Sequence, residues 1–283
     1  MIELSDNRLV QAFADLRAAG RKALLPFITA GFPDLQTTEA LLHELAGRGV
    51  RVCELGFPFS DPIADGPVIQ SSYTRALAGG ITTEKIFQMV RRFRRTEGNR
   101  QLAIGNRQLS LSAMVSYTIV FRHGVKAFLA DAAAAGFDAT IIPDLPLEEA
   151  ASFESLSAGA GLANVMLISP TTTPARRLRI ARHSRGFIYF ISVAGITGER
   201  GRLPQSTIDA VADLRWRTDT PVCVGFGISR PETVAQVCRV ADGAIVGSAI
   251  VHRIADLAAA RTPRKTLVKK VGDFVGELLA PIR

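Results

Sequence analysis

The chain has 283 residues, 47% of them hydrophobic, and a mean hydropathy of +0.19, which allows one large domain or two small ones, a length that α/β barrels routinely use as one. No apolar run reaches the roughly 18 residues that a membrane span needs, and residues 1–17 lack the basic-then-apolar order of a leader, so the expected location is the cytoplasm. The net charge of +8 and pI near 9.9 would suit nucleic acid, but the Lys and Arg residues are spread over predicted helix faces without aromatic interleaving; a phosphorylated small substrate is the better match.

An N-terminal helix is expected within residues 1–20. Strand-like runs then follow at Leu24 to Thr29, Val50 to Leu55, Leu111 to Ser116, Ala139 to Ile142, Val165 to Ile168, Phe187 to Ser192, Val222 to Gly225 and Gly243 to Val246. Segments of helical period alternate with them: Thr37 to Ala46, Thr83 to Arg94, Val125 to Ala134, Leu147 to Leu156, Ala175 to Arg182, Ile208 to Arg217 and Pro231 to Val240. Arg91, Arg92, Arg94 and Arg95 read as a solvated helix end, and residues 256–283 as a C-terminal helix or tail. Cys53, Cys223 and Cys238 fall in apolar segments without CxxC or adjacent His, as free core thiols do.

Eight strands that are apolar on both faces and joined through helices predict a parallel sheet covered on both sides, closed as a single (β/α)8 TIM barrel over residues 1–283. An open doubly wound sheet is the alternative. No GxGxxG follows a strand to support it, and no Pro-, Gly- or Ser-rich linker divides the chain.

The second strand ends in Glu54 and leads into Gly-Phe-Pro-Phe-Ser-Asp-Pro-Ile-Ala-Asp-Gly-Pro, with Asp65 eleven positions on. A carboxylate at the end of a buried strand is costly unless it is satisfied or used. Glu54 pairing with an Arg and Asp65 capping a turn would be the structural explanation; the rest of the chain favours chemistry. Gly225 to Ser229 and Gly247 to Ile250 close the last two strands, where barrels of this kind hold phosphate. Ser192 to Gly201 is long and Gly-rich, suited to a lid. Alternation along the sixth strand puts Phe187, Tyr189 and Ile191 on one face; if that face is the lumen, Tyr189 lies near the mouth. His43, His123, His183 and His252 match no metal-ligand spacing, and no strand ends in a Lys placed for a Schiff base. What remains is acid/base chemistry by carboxylates, without metal or cofactor, on a phosphorylated substrate.

Pro26 to Gly31, the Glu54 to Pro67 block, Pro143-Asp144-Leu145-Pro146, Gly195-Ile196-Thr197-Gly198, Gly225 to Ser229 and Gly247-Ser248, in this order, resemble the tryptophan synthase alpha chain family from about residue 20 to about residue 255. The resemblance implies a lyase that cleaves indole-3-glycerol phosphate to indole and glyceraldehyde 3-phosphate in tryptophan biosynthesis. It implies a pyridoxal-phosphate β chain as partner, in an α2β2-type complex. It also implies Glu54 as general acid/base, Asp65 as second carboxylate and Tyr189 as active-site tyrosine. Phe27 would contact indole, and Thr197, Gly198, Gly227, Gly247 and Ser248 would bind substrate, chiefly its phosphate. Pro58 and Asp61 would face the β chain, and Asp144 would take part in communication with it.

Two departures stand out. Thr118 replaces an expected Asn after the third strand, and the connection from Arg95 to Leu111 is longer than usual. Both are expected beside the partner surface, and on that basis weak coupling to an ordinary β chain. A barrel that only binds and regulates a β-type partner is the competing function, but it would not need both carboxylates.

Overall fold

The structure, a computed structural model, describes residues 4–62, 65–104, 108–192, 204–225 and 227–283, with backbone alone over 97–104. The chain runs α1 (Arg8–Ala18), β1 (Ala23–Thr29), α2 (Leu35–Gly47), β2 (Val52–Gly56), α3 (Pro67–Ala78) and α4 (Thr83–Ile104). It continues with β3 (Ser110–Met114), α5 (Tyr117–His123), α6 (Val125–Ala135), β4 (Ala139–Ile141), α7 (Leu147–Gly159), β5 (Ala163–Ile168) and α8 (Pro174–His183). Then come β6 (Ile188–Ile191), α9 (Gln205–Arg217), β7 (Val222–Gly225), α10 (Pro231–Val240), β8 (Gly243–Val246), α11 (Ser248–Ala259) and α12 (Arg264–Leu279). The strands close in sequence order, β8 pairing back onto β1, and every pairing is parallel. The open-sheet alternative is thereby set aside. No helix among the described residues is long and apolar enough to cross a membrane.

Parallel strands buried on both faces divide their side chains between two cores. Alternate positions, including Leu25, Val52, Val165, Tyr189, Cys223 and Ile245, fill the barrel, while the others pack under the helices. Helix α1 closes the bottom of the barrel, because Leu9, Ala12, Phe13 and Leu16 join the inner cluster and Phe13 meets Phe187 at a ring separation of 5.7 Å. Asn7 holds it there: its side chain accepts from Leu9 N–H at 2.9 Å as N-cap and donates to the carbonyls of Asp138 and Gly161 at 2.8 and 2.9 Å. All three cysteines are free and buried, and burial pushes their thiols up, Cys238 to about 12; these are not nucleophiles.

The arginine run is not a helix end, and although Arg92 and Arg95 are exposed, Arg94 is not solvated. Helix α4 continues to Ile104, so these residues lie within it, and Arg94 is largely buried. Its guanidinium donates to Asp138 at 2.9 Å and to the carbonyls of Gly136 and Leu109 at 2.8 and 2.6 Å. The same carboxylate accepts Leu111 N–H at 2.8 Å and pairs with Arg8 at 2.7 Å. This charged hub joins α1, α4 and the starts of β3 and β4 at the bottom of the barrel. The long connection after Arg95 is therefore mostly extra helix, running towards the end opposite the mouth, and the expectation that it flanks the partner surface is corrected: barrel helices run antiparallel to the strands they follow.

Candidate active site

Glu54 lies in β2 in register with Phe27 of β1 and Ser112 of β3. It is wholly buried, and neither carboxylate oxygen has a hydrogen-bond partner among the described residues, so no pairing with an Arg is formed among them. An isolated charge there would cost far more than a neutral acid, and burial accordingly raises its pKa well above the usual carboxylate range. Folding therefore takes up a proton. The unfolded chain releases that proton first as pH rises, so stability contributed below the unfolded pKa is lost towards alkaline pH. Glu54→Gln, neutral at every pH, is expected to melt a few °C above the parent at pH 8, at about 2–4 °C per kcal/mol for domains near this size, and level with it near pH 4. Melting curves at both pH values check this; a variant less stable at pH 8 would contradict the uncompensated burial.

Asp65, on the loop between β2 and α3, is half-buried, and burial raises its carboxyl to about 6. It does not cap the helix that follows. The N-cap of α3 is Gly66, with no side-chain bond, and Pro67 occupies the first turn. The loop is held by its backbone: Asp65 N–H donates to Pro62 O at 3.1 Å, and Gln70 Nε2 of α3 donates to Asp65 O at 2.8 Å.

Closure of the barrel makes the face shared by Phe187, Tyr189 and Ile191 the inner one, so Tyr189 points into the barrel. Burial first, then the fields of Glu54 and Asp65, push its phenol up, so it stays protonated beside both carboxylates. Gly225 leaves it room, since a Cβ there would come within 2.6 Å of its hydroxyl. Phe27 is buried with its ring over Gly56 and its Cβ 3.5 Å from where a Cβ at Gly247 would stand. The wall thus runs from β8 across β1 to β2.

Gly247 is the N-cap of α11 and Ser248 its first residue, both at the C-terminal end of β8, where unpaired N–H groups and the positive helix end favour an anion. Gly227 follows β7 with φ +74, in the left-handed region that favours glycine. Thr197 and Gly198, with the rest of the Gly-rich stretch from 193, lie outside the described residues, as does Phe226.

On the rim, Pro58 is buried and Asp61 exposed, accepting from Ser60 Oγ at 2.6 Å. Asp144, in the segment between β4 and α7, accepts from Ser116 Oγ at 2.9 Å and Tyr117 N–H at 2.8 Å, bracing the start of α5. Thr118 is exposed on that helix. A cavity of about 400 Å³ at the opposite end of the barrel, lined by Phe13, Arg21 and Arg215 among others, is remote from this carboxylate pair.

Sequence reasoning missed Tyr73. No helix was read over 67–78, although Pro67 and the buried spacing Ile69, Ser72, Tyr73, Ala76 signal one. Burial, then the fields of Asp65 and Glu54, push the Tyr73 phenol well up.

Fold and site together define a class: a (β/α)8-barrel enzyme whose candidate site brings together two carboxyls, both raised by burial, Glu54 well above the usual range and Asp65 to about 6. The family model described as "Tryptophan synthase alpha chain" matches residues 13–279. The tryptophan synthase alpha chain of Rhodopirellula baltica is 44% identical over 95% of this chain and 96% of its own length, and that of Geobacter sulfurreducens 44% identical over 95% and 99%. Among solved structures, the alpha subunit from Legionella pneumophila superposes with a TM-score of 0.85 at 34% identity, covering 98% of both chains. A chain of the M. tuberculosis tryptophan synthase structure in its aminoacrylate-bound form gives 0.81 at 31% identity, covering 98% of this chain and 100% of its own. The chain belongs to the tryptophan synthase alpha chain family.

Proposed function

We infer that the chain is the indole-3-glycerol-phosphate lyase of tryptophan biosynthesis, and the observation that carries the reading is the buried, unpartnered carboxyl of Glu54 facing a mouth it shares with Asp65. Cleavage breaks the bond between indole C3 and the hydroxyl-bearing carbon of the glycerol chain. C3 takes a proton, the ring nitrogen carries the resulting positive charge, and loss of the adjacent hydroxyl proton turns that carbon into an aldehyde as the bonding pair returns to the ring. Indole and glyceraldehyde 3-phosphate result.

Glu54, neutral at rest, delivers the first proton and recovers one from the hydroxyl. Asp65, ionised above about pH 6, accepts the indole N–H and stabilises the developing cation. The two environments hold the two carboxyls in different protonation states, as this division of labour requires. Tyr189, protonated in the field of both carboxyls, lines the site, Phe27 packs against the indole ring, and Gly227, Gly247 and Ser248, with Thr197 and Gly198, hold the phosphate. The chemistry asks for no cofactor.

A β chain is the expected partner, docking on the mouth rim that carries Pro58, Asp61 and Asp144. With the α4 extension directed away from that rim, ordinary coupling is expected in place of weak coupling: a β chain closes the mouth loops and raises the rate on the order of ten-fold or more. Indole release from indole-3-glycerol phosphate, measured while a β chain is titrated in, tests both halves. No indole at any ratio would refute the lyase, and indole without stimulation would refute the coupling.

A further inference from the structure

Tyr73 belongs to α3, the helix that leaves the Asp65 loop, and its place is fixed on both sides. Its neighbour Ser72 is pinned to β1 by a 2.6 Å hydrogen bond between Ser72 Oγ and Thr29 Oγ1, and Ser72 Oγ donates to Ile69 O at 2.7 Å. One turn earlier, Gln70 holds the Asp65 backbone. The Tyr73 side chain is 4% exposed, yet its hydroxyl hydrogen-bonds no group among the described residues. It reaches the strand end beside Glu54: a Cβ at Gly56, two positions beyond Glu54 on the same face, would meet the Tyr73 hydroxyl at 2.8 Å and the tip of the Phe27 ring. Phe27 and Tyr73 together fill the space that a side chain at position 56 would take.

We propose that Tyr73 is a specificity-determining residue of the site, its hydroxyl forming the rim against which the aromatic ring of the substrate is measured. This rests on reading the mouth as the indole-3-glycerol-phosphate site. A planar ring lying against Phe27 between the two carboxylates meets the Tyr73 hydroxyl at its edge. The helix turn is anchored through Ser72 and Gln70, so an added ring substituent on that edge collides with the Tyr73 oxygen. A close-fitting pocket of this kind discriminates one carbon at about 10–200-fold.

The test compares kcat/KM for indole-3-glycerol phosphate with kcat/KM for ring-methylated analogues carrying the methyl at each benzo position, in the parent, Tyr73→Phe and Tyr73→Ala. Removing the oxygen alone in Tyr73→Phe is expected to raise the relative preference for at least one methylated analogue several-fold, and Tyr73→Ala on the order of ten-fold or more. A residue that only packs would lower both substrates together and leave the ratio unmoved. Unchanged ratios for every analogue in the Phe variant, which keeps the ring and the fold, would overturn the proposal. Turnover of the unsubstituted substrate by the parent, lost in Glu54→Gln, separates that outcome from failure of the site itself.

Discussion

Glu54→Gln is expected to lower kcat by about 10² to 10⁴ or more while KM for indole-3-glycerol phosphate stays within a few-fold of the parent. The amide preserves shape and volume in a pocket where the carboxyl has no partner among the described residues to lose, so binding survives. What disappears is the proton that must reach C3 and the base that must take one from the hydroxyl. The parent should show a bell-shaped dependence of kcat/KM on pH. Its acid limb lies near 6, where Asp65 ionises, and its alkaline limb marks the loss of the Glu54 proton, whose pKa burial raises. Activity therefore rises with pH through the Asp65 limb and falls as Glu54 ionises. Stopped assays across pH 5 to 10 read both variant and parent; residual activity within a few-fold would remove Glu54 from the proton path.

Gly247→Asp is expected to raise KM on the order of 100-fold or more while the chain stays folded. The backbone there has φ −110, which an L side chain adopts without strain, and a Cβ would make only ordinary contact with Phe27 at 3.5 Å. The added carboxylate instead stands at the start of α11, where the phosphate dianion is held, and like charges in such proximity cost several kcal/mol. Each 1.4 kcal/mol is ten-fold in affinity. Gly247→Ala isolates the methyl from the charge and should change KM little. Melting temperature and steady-state kinetics of the pair decide it: an unchanged KM in a folded Asp variant would move the phosphate away from the end of β8.

What the sequence determined by itself is what local pattern can encode. Short runs apolar on both faces, separated by helical periods, specify buried parallel strands, and eight in succession leave closure as the natural solution. Glu54 at a strand end and Asp65 on a proline-stiffened loop were legible because a charge leaving a buried run is conspicuous whatever the fold around it. The glycines after β7 and β8 were legible for the same local reason.

Tertiary structure decided everything that depends on which distant group a side chain meets. Arg94 read as a solvated cation because its own neighbours are charged, and only packing set it on Asp138, 44 positions away. The stretch after Arg95 read as an insertion near the partner, but its direction follows from the antiparallel run of α4 against the barrel. Tyr189 could be placed on one face of a strand but not inside or outside until the sheet closed. Tyr73 had no local signature of function: its hydroxyl reaches Gly56 because α3 packs against β1, where Ser72 hydrogen-bonds Thr29. Periodicity is a property of neighbours in the chain, whereas the charge, room and contacts of a site are set by residues that meet only once the barrel is closed.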